Sequence, residues 1–149
     1  MNGKKLVYAA LAGFAVMFIL AIIWYMAVMA DYNDEIMAAV YNADAILDEP
    51  NLVFIVLGYL IIAFIMAYMF PIGYKGGSAV TEGMKFGAIV GLLISVPMAL
   101  NNMAVLSVSA TPALVNSIYQ IVEKAIGGIV IAKVYGVGAT ASAPESSEE

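Results

Sequence analysis

The sequence predicts an all-α membrane protein, a four-transmembrane-helix bundle with its N and C termini cytoplasmic. Three observations carry that expectation. Of the 149 residues, 64% are hydrophobic and only 11% are charged, with a mean hydropathy of +0.97, whereas soluble domains carry about 25% charged residues. Four apolar runs each reach the roughly 20 residues that a helix needs to cross a bilayer. Lysines flank these runs at one end, whereas the loop between the first and second runs holds six carboxylates and no lysine, the asymmetry that retention of cations on the cytoplasmic side produces.

The first run, residues 6–29, follows Lys4 and Lys5. It ends in "VMA" before Asp31, which resembles a signal-peptide cleavage site, but its apolar run exceeds the roughly 7 to 15 residues of a signal core. It is therefore expected to stay as an anchor. Trp24 and Tyr25 near its end read as an interfacial aromatic belt. The next stretch, "DYNDEIMAAVYNADAILDEP" at 31–50, carries Asp31, Asp34, Glu35, Asp44, Asp48 and Glu49 and no lysine. Ile36, Met37, Val40, Tyr41 and Leu47 recur near helical spacing, so this acidic outer loop is expected to hold a short helix lying in the interface. Its carboxylates lack the D-x-D-x-D-G pattern of a calcium loop.

The second run, 51–70, ends at a turn, "PIGYKGGSAVTEG", punctuated by Pro71, Gly73, Gly76 and Gly77, with Ser78 a natural N-cap for the third helix. Lys75 and Lys85 flank it on the cytoplasmic side. "GYKGGS" lacks the P-loop spacing and does not predict a nucleotide site. The third run, 84–107, opens with Gly83, Gly87 and Gly91 four residues apart, a ridge that lets helix backbones approach closely in lipid. Ala9 and Gly13 on the first helix, and Gly128 and Ala132 on the last, form similar ridges. Pro97 is expected to kink the third helix and free a backbone carbonyl. The fourth run, 112–135, closes at Lys133, and the small, acidic tail at 137–149 has a composition expected to be disordered. One transmembrane domain, 1–136, thus accounts for nearly the whole chain.

The fourth run also carries Glu123 and Lys124 side by side, about 15 Å from Lys133 at 1.5 Å per residue and so close to mid-membrane. Asn116, Gln120, Glu123 and Gly127 share one stripe of that helix. Tyr59, Ser95, Asn101 and Asn102 come from neighbouring helices at comparable or more outward depth, so the expected intramembrane polar cluster comprises Tyr59, Ser95, Asn101, Asn102, Asn116, Gln120, Glu123 and Lys124. Because burial disfavours a charged carboxyl, Glu123 is either protonated or paired. Lys124 lies about 100° around the helix and is not automatically its partner. An alternative is that Lys124 faces another subunit or lifts its amine toward an interface.

The stretches "YMFPIGYKGGSAVTEGMKFGAIVGLLISVPMALNN" and "IVEKAIGGIVIAKVYG" resemble a group of uncharacterised bacterial four-helix inner-membrane proteins of unknown function. In these an aromatic-Pro-x-Gly-Tyr-Lys-Gly-Gly turn leads into a glycine-rich helix, and the last helix carries a mid-membrane glutamate. The resemblance covers about residues 68–136 and implies a bacterial inner-membrane location and the same four-helix layout, but no activity.

Function is bounded chiefly by exclusion. The chain has no cysteine and no histidine, which removes disulfides, thiol chemistry and Cys/His metal sites. It has no arginine and a formal charge of -5, which argues against nucleic acid. No nucleophile–base pair, metal cluster or cofactor motif is visible, so the chain reads as non-enzymatic and cofactor-free. The leading expectation is a structural or accessory membrane subunit that forms a homo-oligomer or docks on other membrane subunits through its glycine ridges and polar stripe. The alternative is a small proton, cation or solute channel or transporter built on Glu123.

Overall fold

A computed structural model describes residues 3–29, 51–105 and 110–136; the acidic loop, the tail and the expectations attached to them lie outside the described residues. The described chain is all-helical. α1 spans Gly3–Ile23 and continues as a π-helical turn over Trp24–Val28; α2 is Leu52–Gly73, α3 Ala79–Val105 and α4 Ala110–Tyr135. All four are long and apolar enough to cross a membrane.

Local chemistry sets the helix ends. Asn51 caps α2 by accepting the Val53 N–H at 3.1 Å, and Ser78 caps α3 by accepting the Thr81 N–H at 3.1 Å. Glu82 follows in the first turn of α3, where a carboxylate favours the helix dipole. α3 thus starts at Ala79, one turn and more before the expected 84. Gly136, at φ 73°, closes α4 with its N–H on the Lys133 carbonyl at 2.9 Å. Lys5 sits at the N-terminus of α1, where a cation opposes the dipole, and donates instead to the Tyr135 carbonyl at 3.3 Å, at the C-terminus of α4.

Pro71 and Pro97 sit in the interior of continuous helices. Pro71, expected to end the second helix at Phe70, lies within α2, which runs one turn further. A proline leaves the carbonyl four residues earlier without its N–H partner. Here that carbonyl is Ala67's, and the Tyr135 hydroxyl donates to it at 2.7 Å. α4 thereby satisfies the bond that α2 cannot make for itself. Pro97 likewise lies within an unbroken α3 that reaches Val105.

The N-termini of α1 and α3 and the C-termini of α2 and α4 share one end. That end carries Lys4, Lys5, Lys75, Lys85 and Lys133. α4 is the hub. Its contact with α3 is the most extensive, it packs broadly on α1, and α1 in turn packs on α2, while α2 and α3 barely meet. The α3–α4 seam is built from the predicted glycines, and it is intramolecular. A Cβ placed on Gly83 would meet the Gly128 carbonyl and lie 2.7 Å from Ile129 Cα; on Gly87 it would collide with the Lys124 carbonyl; on Gly91 it would lie 2.6 Å from Ile121 Cα. Residues on α3 therefore slide past α4 in a constant antiparallel register, which Ser95 and Ser117 extend outward. Ser95 Oγ donates to the Ser117 carbonyl at 3.3 Å and to the Gly91 carbonyl at 2.8 Å. On the other face of α4, Gly13 accommodates Ile131 and Gly127 accommodates Met17. The remaining core is small and adaptable: Ala9, Ala63, Ala67 and Ala132 with Met17, Met66, Phe70 and Ile131 are essentially fully buried.

Candidate functional site

The close glycine seam and the α1 contact enclose α4 so well that Glu123 and Lys124 are 0% and 2% exposed. Adjacent helical residues diverge by about 100° at the backbone. Even so, Lys124 Nζ bends back to donate to Glu123 Oε1 at 2.7 Å. The pair is thus formed within the chain. The lysine is buried inside the chain rather than lifted toward an interface. The Lys124 ammonium also lies 5.3 Å from the centroid of the Tyr59 ring on α2, a cation–π distance.

Among the described residues Glu123 Oε2 has no hydrogen-bond partner, and neither does the buried Tyr119 hydroxyl. Tyr119 precedes Glu123 by four residues, so both lie on one stripe of α4, and Tyr119 and Tyr59 both face the carboxylate. The immediate surroundings of the free oxygen are two phenols, one ammonium and the apolar core. Among the described residues no group of three His, Cys, Asp or Glu side chains could hold a metal ion. One carboxylate flanked by hydroxyls can take a proton or a single small monovalent cation.

Outward of this pair an aromatic cap closes the site. The π-turn presents two consecutive residues of α1 to one acceptor: Trp24 Nε1 and the Tyr25 hydroxyl both donate to Asn116 Oδ1, each at 3.2 Å. A π-turn advances less per residue than an α-turn, which helps neighbours point to a common target. The Trp24 ring stacks on Tyr119 with centroids 4.2 Å apart and planes 1° from parallel, and Tyr25 meets Tyr119 edge-on at 6.3 Å. A groove of about 430 Å³ beside the stack is lined by Trp24, Val115, Ile118, Tyr119 and Val122. Tyr119 therefore separates this lateral groove from Glu123.

The residues of the expected cluster thus divide. Glu123, Lys124 and Tyr59 come together. Asn116 stands one layer outward, bound to the aromatic cap, and Gln120 lies beside Tyr25. Ser95 belongs to the α3–α4 seam rather than to the carboxylate. Asn101 is exposed, Asn102 is half-buried, and neither joins a hydrogen bond among the described residues. Trp24 and Tyr25, expected as an interfacial belt, also form the cap over the pair. Tyr119 carried a legible signal in its i−4 spacing to Glu123; the convergence of Trp24 and Tyr25 carried none, since it depends on the π-turn.

Four long apolar helices around a buried charged pair define a multi-pass helical membrane protein. No family model, curated protein or solved structure matches the chain.

Proposed function

We propose that this chain is a non-enzymatic membrane transporter or channel component that takes and releases a proton or a small monovalent cation at Glu123. One observation carries the reading: a fully buried carboxylate shares one oxygen with Lys124, while its other oxygen and the Tyr119 hydroxyl facing it have no hydrogen-bond partner among the described residues. Polar residues that serve as helix glue bond across helices. The Glu123–Lys124 bond joins neighbours on one helix and ties no two helices together. Burying two charges costs several kcal/mol per ion, to order of magnitude, and the contact the pair makes across helices is the cation–π approach of Lys124 to Tyr59, worth about 2 kcal/mol at most in a desolvated setting. A working site explains the retention of such a pair.

Lys124 then acts as an internal counter-ion. While Glu123 is ionised, the lysine neutralises it across 2.7 Å. A cation or proton arriving at the free oxygen cancels the carboxylate charge, leaving Lys124 with a neutral acceptor at Oε1 and the Tyr59 ring, so occupancy and the hold on the lysine are coupled. Tyr119 and the cap govern access from the outer half. We further place the protein in a bacterial inner membrane with its lysine-rich end and both termini cytoplasmic, from the lysine distribution and the resemblance of residues 68–136.

The test is ion flux in proteoliposomes holding a pH-sensitive dye, under imposed sodium, potassium and proton gradients. Wild-type chain is expected to dissipate at least one gradient, and Glu123→Gln to abolish that flux while its circular dichroism spectrum stays unchanged. Flux that survives Glu123→Gln, or no flux under any gradient, refutes the reading.

A second reading, the homo-oligomeric or accessory subunit, keeps one specific support. Phe54, Ile61, Ile65, Tyr68 and Ile72 form an exposed apolar stripe on α2. The lipid bilayer covers such a stripe as readily as a partner does. The glycine ridges no longer serve this reading, because they are occupied within the chain. Concentration-dependent oligomers that Tyr68→Lys dissolves would favour it.

A further inference from the structure

We propose that the cleft between α2 and α3 at the lysine-rich end binds an anionic phospholipid, a site separate from Glu123. The two helices touch there through the edge-on Phe70–Phe86 pair, with centroids 5.5 Å apart. Beside that contact lies a cavity of about 360 Å³. Its floor is apolar, from Phe70, Phe86 and Ile89, and its rim is charged, from Lys75, Lys85 and Glu82.

The rim has unspent positive charge. Lys85 reaches Glu82 only at 3.5 Å, and its side chain is 67% exposed. An exposed pair of that length contributes little and leaves the ammonium free to take a second partner. Lys75 forms no ion pair or hydrogen bond among the described residues. Two lysines against one carboxylate leave the rim cationic, and the five lysines of this end add to the field. An ammonium at the membrane surface attracts anionic headgroups.

The floor selects what kind of anion is held. A soluble phosphate would use the lysines and leave the aromatic floor uncovered. An amphiphile uses both, with its phosphate between Lys75 and Lys85 and its acyl chain leading past Ile89, which is 67% exposed, toward Leu93, which is 70% exposed. The turn itself is stiffened for such a role, because the Tyr74 hydroxyl donates to the Gly77 carbonyl at 2.9 Å and accepts the Gly77 N–H at 3.1 Å. Lys75 is therefore carried on a braced turn.

Native mass spectrometry of the whole chain in neutral detergent tests this, with phosphatidylglycerol and phosphatidylcholine of identical acyl chains as probes. Each lysine near a membrane surface is worth about fivefold in anionic-lipid affinity. Wild-type chain should hold phosphatidylglycerol about tenfold or more over phosphatidylcholine, and Lys75→Gln with Lys85→Gln should bring the two lipids level. Lys133→Gln, at the same end but outside the cleft, should keep the preference. Gly73 lines the cavity, and a Cβ there meets nothing within 4 Å. Gly73→Leu should accordingly fold normally and lower retention of both lipids. Equal retention by wild type overturns the proposal, as does a preference that survives the double lysine change. So does a preference lost equally in Lys133→Gln, which would reflect diffuse charge, or full displacement by glycerol phosphate, which would reflect a plain anion site.

Discussion

Gly87 is the position where one added methyl group should do the most damage. A Cβ there would overlap the Lys124 carbonyl oxygen and lie 2.6 Å from its carbon and 2.7 Å from Ala125 Cα. Ordinary contacts for such an atom begin near 3.4 Å. The obstructing atoms are helix backbone, so no rotamer change relieves the overlap, and α3 must withdraw from α4 by about 1 Å. A gap of that order forfeits a quarter to a half of the dispersion energy of each facing contact. The seam continues through Gly83, Gly91 and Ser95, so the loss spreads along it. Together with typical overpacking costs of about 1–3 kcal/mol, Gly87→Ala should destabilise the bundle by about 3 kcal/mol. The control is Gly58→Ala on α2, where a Cβ meets nothing within 4 Å and the alanine removes a glycine helix penalty of about 1 kcal/mol. Equilibrium unfolding in mixed micelles, followed by circular dichroism, compares the two. Equal stability of Gly87→Ala and Gly58→Ala would show that the α3–α4 seam is not this close, and would remove the packing argument for how Lys124 is buried.

Four further outcomes follow from the site and its supports. Lys124→Ala, which strands the buried Glu123, should cost about 3–5 kcal/mol, whereas Glu123→Gln combined with Lys124→Met should recover most of that loss in the same unfolding assay. Asn116→Ala removes the shared acceptor of Trp24 and Tyr25, costing about 1–3 kcal/mol and shifting the emission of the only tryptophan, which reports the change directly. Tyr119→Phe deletes a buried hydroxyl that has no partner among the described residues, so stability should hold or rise while flux through Glu123 falls; a loss of stability without a loss of flux would make Tyr119 a packing residue only. Tyr135→Phe should cost about 1–3 kcal/mol beside Pro71, and much less in a Pro71→Ala background, where the restored backbone N–H can serve the Ala67 carbonyl; an equal cost in both backgrounds would refute that compensation.

Much of the architecture follows from composition and spacing. Apolar runs of bilayer length, lysines gathered at one end, and Asn51 and Ser78 before their helices are local signals whose physics acts within a few residues, and α2, α3 and α4 begin or end near them. The Gly83–Gly87–Gly91 ridge announced a close helix approach, since only the absence of Cβ permits one. Glu123 announced itself by being charged at mid-membrane depth. Its neighbour Lys124 also stood in view, but helical geometry alone set the two about 100° apart.

Tertiary structure decided the rest, because each remaining feature is a meeting of distant atoms. Which helix receives the glycine ridge depends on α4 presenting its own small residues, Gly128 above all, in antiparallel register. That embrace excludes water and lipid from Lys124, and a flexible four-carbon stem then finds the one carboxylate within reach. Pro71 looked like a helix stop because the hydroxyl that replaces its missing bond comes from Tyr135, 64 residues away in sequence by subtraction of the two positions. Asn101 and Asn102 have the polarity of site residues, but Ser95, at a nearby position, is drawn to the Ser117 backbone instead. Sequence determined that there would be four helices long and apolar enough to cross a membrane, one of them carrying a glutamate and a lysine side by side, because hydropathy and length are properties of single segments. Only the packed structure determined that the pair closes on itself beneath an aromatic cap, because burial and partnership are properties of several segments at once.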